Sequence, residues 1–370
     1  MTKPVLDPTI FNLGKTDYIG QSLFLGQTAG LFDTINKSYP AIWQNYKTMK
    51  SQDWDENEFD YSSCMPEFKT EDPRKVRKMI YSLTWQWEAD SIASRSISHI
   101  VSLFDPCPEL WAAWQRISDS EVVHAATYSE IVRGSFEDPR KVLEEVLGYI
   151  EVHSRMANVA NEFAWIRKRG LLYQLGEVPN DQETYNAIFM FTFMMFVLER
   201  LQFMSSFVVT FAMAEEHSFM PACKAIQKIA QDEFEVHVEL DRLVLENELK
   251  TERGQNAYRE LKPRMQAIYD EVINAEVVWT RDVLWADGYD LKHLNLKGAL
   301  DWVYFCGLNV ARPMGLETNH PIIEKVPVHY MKTWLNISDT QPSPQEESNG
   351  QYKVGILKRD DEDVDFVTDF

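Results

Sequence analysis

Ala187-Ile188-Phe189-Met190-Phe191-Thr192-Phe193-Met194-Met195-Phe196-Val197-Leu198 is the most apolar run in the chain, and Glu199-Arg200 follow it at once. The run is shorter than the roughly 20 residues that a helix needs to cross a bilayer, so it reads as the core helix of a folded body, with no membrane partner. A charged Glu199 amid Phe and Met would cost on the order of several kcal/mol if left unpaired. It therefore needs a proton or a cation. The run decides both the fold class and the question the rest of the chain must answer: what neutralises this acid.

Outward from this run, apolar residues recur at helical spacing through 75–104, 108–133, 139–170, 180–214, 219–248, 255–285 and 295–310. Pro106, Pro108, Pro139, Gly176, Pro179 and Pro221 punctuate the segments at their starts and ends. Alternating Val/Thr/Tyr runs bounded by hairpin turns are scarce, so the chain is all-α. Segments this long, joined by short loops, pack as an antiparallel helical bundle over residues 61–335. Residues 1–60 mix Gly, Pro, Asp and aromatics without a sustained period, which predicts an irregular N-terminal arm with short helical pieces. Residues 336–370 change character again. Gln341 to Gly350 has almost no apolar content and is expected to be disordered, and Tyr352 to Phe370 is an acidic tail suited to docking on a partner.

Composition narrows the function classes. With 370 residues and 45% hydrophobic content, the chain can bury a large core. A formal charge of −20, from 57 acids against 37 bases, argues against nucleic acid and anionic membranes as partners, since both select basic surfaces. Cys64, Cys107, Cys223 and Cys306 show no paired spacing, which favours reduced thiols in a cytoplasmic protein. The N-terminus has no signal-peptide pattern.

Chemistry concentrates in a doubled pattern. Asp90 lies on one predicted helix, and Glu121 with His124 lies on the next. Glu199 lies on a later helix, and Glu233 with His237 on the one after it. Each half is a lone acid followed, roughly thirty residues on, by an acid and a histidine on one helix face, the interval that returns a neighbouring antiparallel helix to the same level. Four carboxylates and two imidazoles suit a dinuclear iron or manganese site, with hard oxygen ligands bridging and one nitrogen on each metal. Tyr128, one turn past His124, is an oxidisable phenol beside it. Glu317 and His320 repeat the Glu-x-x-His spacing, but in a turn-like context beside Pro321.

These residues resemble the small, radical-generating subunit of class I ribonucleotide reductase, a ferritin-like helical protein, over the span from Trp54 to the C-terminus. The resemblance implies that Asp90, Glu121, His124, Glu199, Glu233 and His237 are metal ligands and that Tyr128 holds the radical. It also implies that Phe203, Phe207 and Ile229 wall the radical pocket; read from the residues alone, they are core positions at helical spacing. Trp54, Asp232 and Tyr352 match the residues that pass the radical to a large subunit, and the acidic tail matches the peptide that docks there. The resemblance further implies a homodimer and a ribonucleoside-diphosphate reductase that acts only with its large subunit. The expected cofactor is a pair of iron ions, with two manganese ions or a mixed pair as alternatives, together with a tyrosyl radical. A related dimetal oxidase or oxygenase and a ferritin-like metal store are the competing readings. The first would be expected to lack Tyr352 and the acidic tail, and the second needs neither Tyr128 nor the tail.

One departure stands out. The family spaces its second glutamate and histidine by three, whereas Glu233 and His237 are four apart. A π-bulge would absorb the extra residue and keep both on one face. Otherwise Asp232 or Glu235 would take part of the ligand role.

Overall fold

A computed structural model describes residues 7, 11–14, 20–27 and 30–336. Tyr352 and the expected disordered and docking segments of the tail lie outside the described residues. Among the described residues the regular structure is helical, with an isolated bridge between Leu291 and Leu294.

The helices begin where the sequence supplies caps. Helix α1 spans Pro40–Ser51, α2 Cys64–Thr70, α3 Pro73–Ser102 and α4 Pro108–Ser135. Pro opens α1, α3 and α4 at the position whose missing N–H would have had no helical partner. The Asp72 carboxylate accepts from the Arg74 backbone N–H at 2.9 Å and caps α3. The predicted segment 139–170 is two helices, α5 at Pro139–Val146 and α6 at Ile150–Gln174. They break at Leu147-Gly148-Tyr149, where the Gly148 N–H closes a tighter turn onto the Glu145 carbonyl at 2.9 Å.

The apolar run that opened the reading lies in α7, Gln182–Val197. This helix passes through a wide π-helical turn at Leu198–Phe203 into α8, Met204–Ala214. From Thr184 to Ala214 every residue is buried. This is the one described helix long and apolar enough to cross a membrane, and its apolar window is wholly enclosed by the other helices. At about 1.5–3 kcal/mol for each large side chain buried, the run is a principal source of core stability.

Helix α9, Met220–Gln231, passes through a second wide turn at Asp232–His237 into α10, Val238–Glu248. Helix α11, Glu252–Val278, ends in a third wide turn at Trp279–Leu284, followed by α12, Leu296–Ala311, and the short α13, Met331–Trp334. Helices α3, α4, α7–α8 and α9–α10 surround the centre, with α6, α11 and α12 packed outside them. The arm helix α1 lies across α4 and α10.

Each wide turn is held by side chains from other helices. Arg155 on α6 donates to the Gln202 carbonyl at 2.8 Å, and Trp302 on α12 donates to the Met204 carbonyl at 2.8 Å. Asn45 on α1 donates to the Val236 carbonyl at 3.1 Å. Arg77 and Lys78 on α3 donate to the carbonyls of Val283 and Leu284, where the third wide turn ends. All four cysteines are buried free thiols.

Candidate metal centre

The six predicted ligands come from the four central helices and meet at one level of the bundle. Asp90 projects from α3, Glu121 and His124 from α4, Glu199 from the first wide turn, and Glu233 and His237 from the second. All six are buried. Their ligand atoms form two overlapping groups, Asp90/Glu121/His124/Glu233 and Glu121/Glu199/Glu233/His237, with the atoms of each group within 4.8 Å of one another. Glu121 and Glu233 belong to both, the arrangement expected of two bridging carboxylates between a pair of metals, each with one imidazole.

Both imidazoles turn Nδ1 inward. His124 Nδ1 is 3.0 Å from Glu233 Oε1 and 3.6 Å from Glu121 Oε2, and His237 Nδ1 is 2.8 Å from Glu233 Oε2 and 3.5 Å from Glu121 Oε1. Among the described residues, both oxygens of Asp90, Glu121 and Glu199, and Oε1 of Glu233, have no hydrogen-bond partner. So many unsatisfied buried acceptors demand an explanation. Hard oxygen donors with two neutral imidazole nitrogens are the donor set of iron or manganese, so the residues present fit a dinuclear centre.

The electrostatics agree. Burial, reinforced by Glu121 and Glu233, pushes Asp90 well above the usual carboxylate range. Burial, reinforced by Glu233 and Glu121, does the same to Glu199. Burial opposes charge on His237, but Glu233 and Glu121 outweigh it and hold the imidazole up to about 10. Burial would raise Glu233, yet His237, Glu199 and His124 together pull it below its ordinary value. Protons thus do in the metal-free protein what divalent cations would do in the loaded one.

Around this cluster, Tyr128 is fully buried, and its hydroxyl has no partner among the described residues. Burial, then the charges of Asp90, Glu233 and Glu121, pushes the phenol well up, so it stays protonated. Phe203, Phe207 and Ile229 are all buried, with the two phenyl rings stacked 5.8 Å apart. A path leads outward from His124. Its Nε2–H meets Asp232 Oδ2 at 3.1 Å, and the same oxygen accepts from the indole N–H of Trp54 at 2.8 Å. The Trp54 and His124 rings are stacked 5.9 Å apart, and Trp54 is half-buried.

The extra residue between Glu233 and His237 is absorbed by the wide turn, so both face the cluster. Glu235 is turned outward, where it lines surface grooves with Phe234 and with α1. Asp232 serves His124 and Trp54 and stays outside both ligand groups. Glu317 and His320 join no described group of metal-ligating residues; His320 stacks on Tyr304 at 5.4 Å. Sequence reasoning missed two features. One is the buried ion pair of Arg155 with Glu276 beside the first wide turn. The other is Asp241, fully buried one turn past His237. Its helical offset of four from a predicted ligand was the signal that could have found it.

The family model "Ribonucleotide reductase, small chain" matches residues 31–325. Among curated proteins, a ribonucleoside-diphosphate reductase subunit beta of Buchnera aphidicola (subsp. Baizongia pistaciae) is 22% identical, over 97% of this chain and 98% of its own. The ribonucleoside-diphosphate reductase 1 subunit beta of Escherichia coli O157:H7 is 24% identical, over 96% and 97%. Among solved structures, the ribonucleotide reductase R2 subunit from Clostridium botulinum superposes with a TM-score of 0.76 at 18% identity, covering 90% of this chain and all of that one. The dimanganese(II)-NrdF of Streptococcus sanguinis superposes with a TM-score of 0.63 at 12% identity, covering 83% of this chain and all of that one.

Proposed function

The chain belongs to the ribonucleotide reductase small-chain family, and on that premise we propose that it is the radical-generating small subunit of a ribonucleoside-diphosphate reductase, with Tyr128 as the radical site. The observation that carries this reading is the pair of overlapping, fully buried carboxylate–imidazole groups beside a fully buried phenol. A bound metal pair would supply, with oxygen, the one-electron oxidant for Tyr128; we assign it as iron, and a manganese pair or mixed pair suits the same ligands.

The chain's own residues do the rest. Asp90, Glu121, His124, Glu199, Glu233 and His237 would hold the metals, and Glu121 and Glu233 belong to both groups of ligand atoms. Burial of Tyr128 excludes the water and reductants that would quench a radical, and the apolar wall of Phe203, Phe207 and Ile229 serves the same end. Tyr128 must also shed its proton when it is oxidised, and among the neighbouring carboxyl groups Asp90 bears on the phenol most strongly. The route for the hole runs from the cluster through His124, Asp232 and Trp54 to the surface, and on through Tyr352 to a large subunit that carries the nucleotide site. The acidic tail docks there. We further propose a homodimer and a cytoplasmic setting, the latter in keeping with the four free, buried thiols.

The test is electron paramagnetic resonance after addition of ferrous iron and oxygen, repeated with manganese and an activating reductase. A tyrosyl signal is expected in the wild type and not in Tyr128→Phe. A signal that survives the substitution, or that never forms with either metal, refutes the assignment.

A further inference from the structure

Buried carboxylates outside the ligand set generally have a partner. Glu109 accepts from the Tyr39 backbone N–H at 3.2 Å, Glu248 accepts from the Tyr185 hydroxyl, and Glu276 is paired with Arg155. Asp241 is different. It is 1% exposed, and neither oxygen has a hydrogen-bond partner among the described residues. An acid in that state is a cost without a structural return.

Its position suggests the return. Asp241 stands on α10, four residues after His237, on the same helix face, and helical side chains lean back over the turn that precedes them. His237 directs Nδ1 at Glu233 and Glu121, which leaves Nε2 facing away from the cluster, buried and also without a partner among the described residues. Across the site, His124 has the same orientation, but its Nε2 has a carboxylate behind it, Asp232 at 3.1 Å. One imidazole therefore has its outer carboxylate, while the other has an unused nitrogen and an unused acid one turn apart. Burial drives Asp241 well up, and the charge of His237 is the opposing influence on it.

We propose that Asp241 is a positioning residue for the second imidazole ligand: when His237 binds metal through Nδ1, it donates Nε2–H to the Asp241 carboxylate, directly or through one water. The inference rests on reading the cluster as a dinuclear metal centre. Such an outer carboxylate fixes the ring orientation and tautomer and raises the basicity of the nitrogen that faces the metal. The centre then has a carboxylate behind each imidazole. Asp232 also receives Trp54 and lies on the outward route, whereas Asp241 is buried and serves ligation alone.

The experiment titrates the full-length metal-free protein with cobalt(II), following the visible d–d bands, and measures thermal melting with and without metal. The variants are Asp241→Leu and Asp241→Asn. Wild type is expected to bind two ions per chain. Asp241→Leu should weaken one of the two by about 10–100-fold and shift its bands, leaving the other ion unchanged. The metal-free Leu variant should melt no lower than wild type, because an unpartnered buried acid has been removed, while the gain in melting temperature on adding metal shrinks. Asp241→Asn, which can still accept from an imidazole N–H, should fall between the two and carries the test should the Leu variant be insoluble. Unchanged affinity and bands in both variants overturn the proposal, as does a metal-free Leu variant that melts well below wild type, the mark of a merely structural residue. A wild type that fails to bind two ions is a separate result, and it overturns the metal-centre reading itself.

Discussion

Replacing Glu276 with glutamine tests how the first wide turn is held. Arg155 is enclosed between α6 and the core, its side chain 2% exposed and that of Glu276 fully enclosed. Its guanidinium makes a two-pronged pair with Glu276, at 2.6 Å through Nε and 2.5 Å through Nη2. It also reaches Ser206 Oγ at 3.1 Å and the Gln202 carbonyl at 2.8 Å, and it lies 3.7 Å from the centre of the Trp85 ring. Glu276→Gln keeps the shape and removes the charge, leaving the guanidinium uncompensated in a site where burial already pulls Arg155 below its ordinary value. Breaking a buried pair from one side costs about 3–5 kcal/mol, and the remaining oxygen acceptors and the Trp85 face put the expected loss near the lower end of that range. Arg155→Met should cost about 1 kcal/mol more, because the Gln202 carbonyl then loses its donor as well. The double variant Arg155→Met/Glu276→Met should be less destabilised than the sum of the two single changes. Guanidinium denaturation of the metal-free protein, followed by circular dichroism, measures all three. A Glu276→Gln loss below about 1 kcal/mol, or single effects that simply add, would refute the argument that this pair is a desolvated staple.

Trp54→Phe removes the indole donor from Asp232 while leaving all six ligands in place, so metal binding and the Tyr128 signal should persist while turnover with a large subunit is lost. Removal of residues 351–370 should give the same split, and full turnover in either variant counts against the outward route. The pH dependence of the metal-free protein follows from its bound protons. His237 is held up to about 10 in the folded state, so its contribution is complete below its unfolded value of about 6.5 and disappears as pH rises toward 10. Asp90 and Glu199 are raised as well, so above their unfolded values the folded state again retains more protons. Melting temperature should therefore fall from pH 6 to pH 9 without metal. Metal loading should release protons and flatten the fall, as calorimetry in buffers of different ionisation enthalpy would register. A melting temperature that rises over this interval would show that the cluster is not proton-compensated.

Much of the centre was legible because its residues obey helix periodicity. Glu121, His124 and Tyr128 share a face at offsets of three and four, Glu199 declares itself by following the most apolar run, and Asp90 is picked out by the interval that repeats between Glu199 and Glu233. The break between α5 and α6 was less visible, since one Gly between apolar residues does not interrupt the pattern that periodicity reads. Asp241 was hidden because α10 also carries Glu239, Arg242 and Glu246, and a charged residue among them reads as part of a solvated face. Only the packing shows Asp241 turned inward while Arg242 bridges Glu239 and Glu246 outside. Arg155 and Glu276 are more than a hundred residues apart, and no local spacing links them.

The wide turns explain how an extra residue between the two proposed ligands Glu233 and His237 is tolerated. On a regular helix one inserted residue rotates everything after it by about 100°, which would carry the apolar positions of α10 away from the core. The turn at Asp232–His237 takes up that rotation locally, so Glu233 and His237 still meet at 2.8 Å while Leu240, Val244 and Leu245 remain buried beyond them. A turn of this kind is not favoured by its own backbone, and so it must be held from outside. The Asn45 bond to the Val236 carbonyl holds this one, as Arg155 and Trp302 hold the turn that carries Glu199. The proposed ligands thus sit on segments whose conformation depends on other helices, including one from the N-terminal arm. Disturbing those staples should alter the geometry of the centre before it unfolds the bundle.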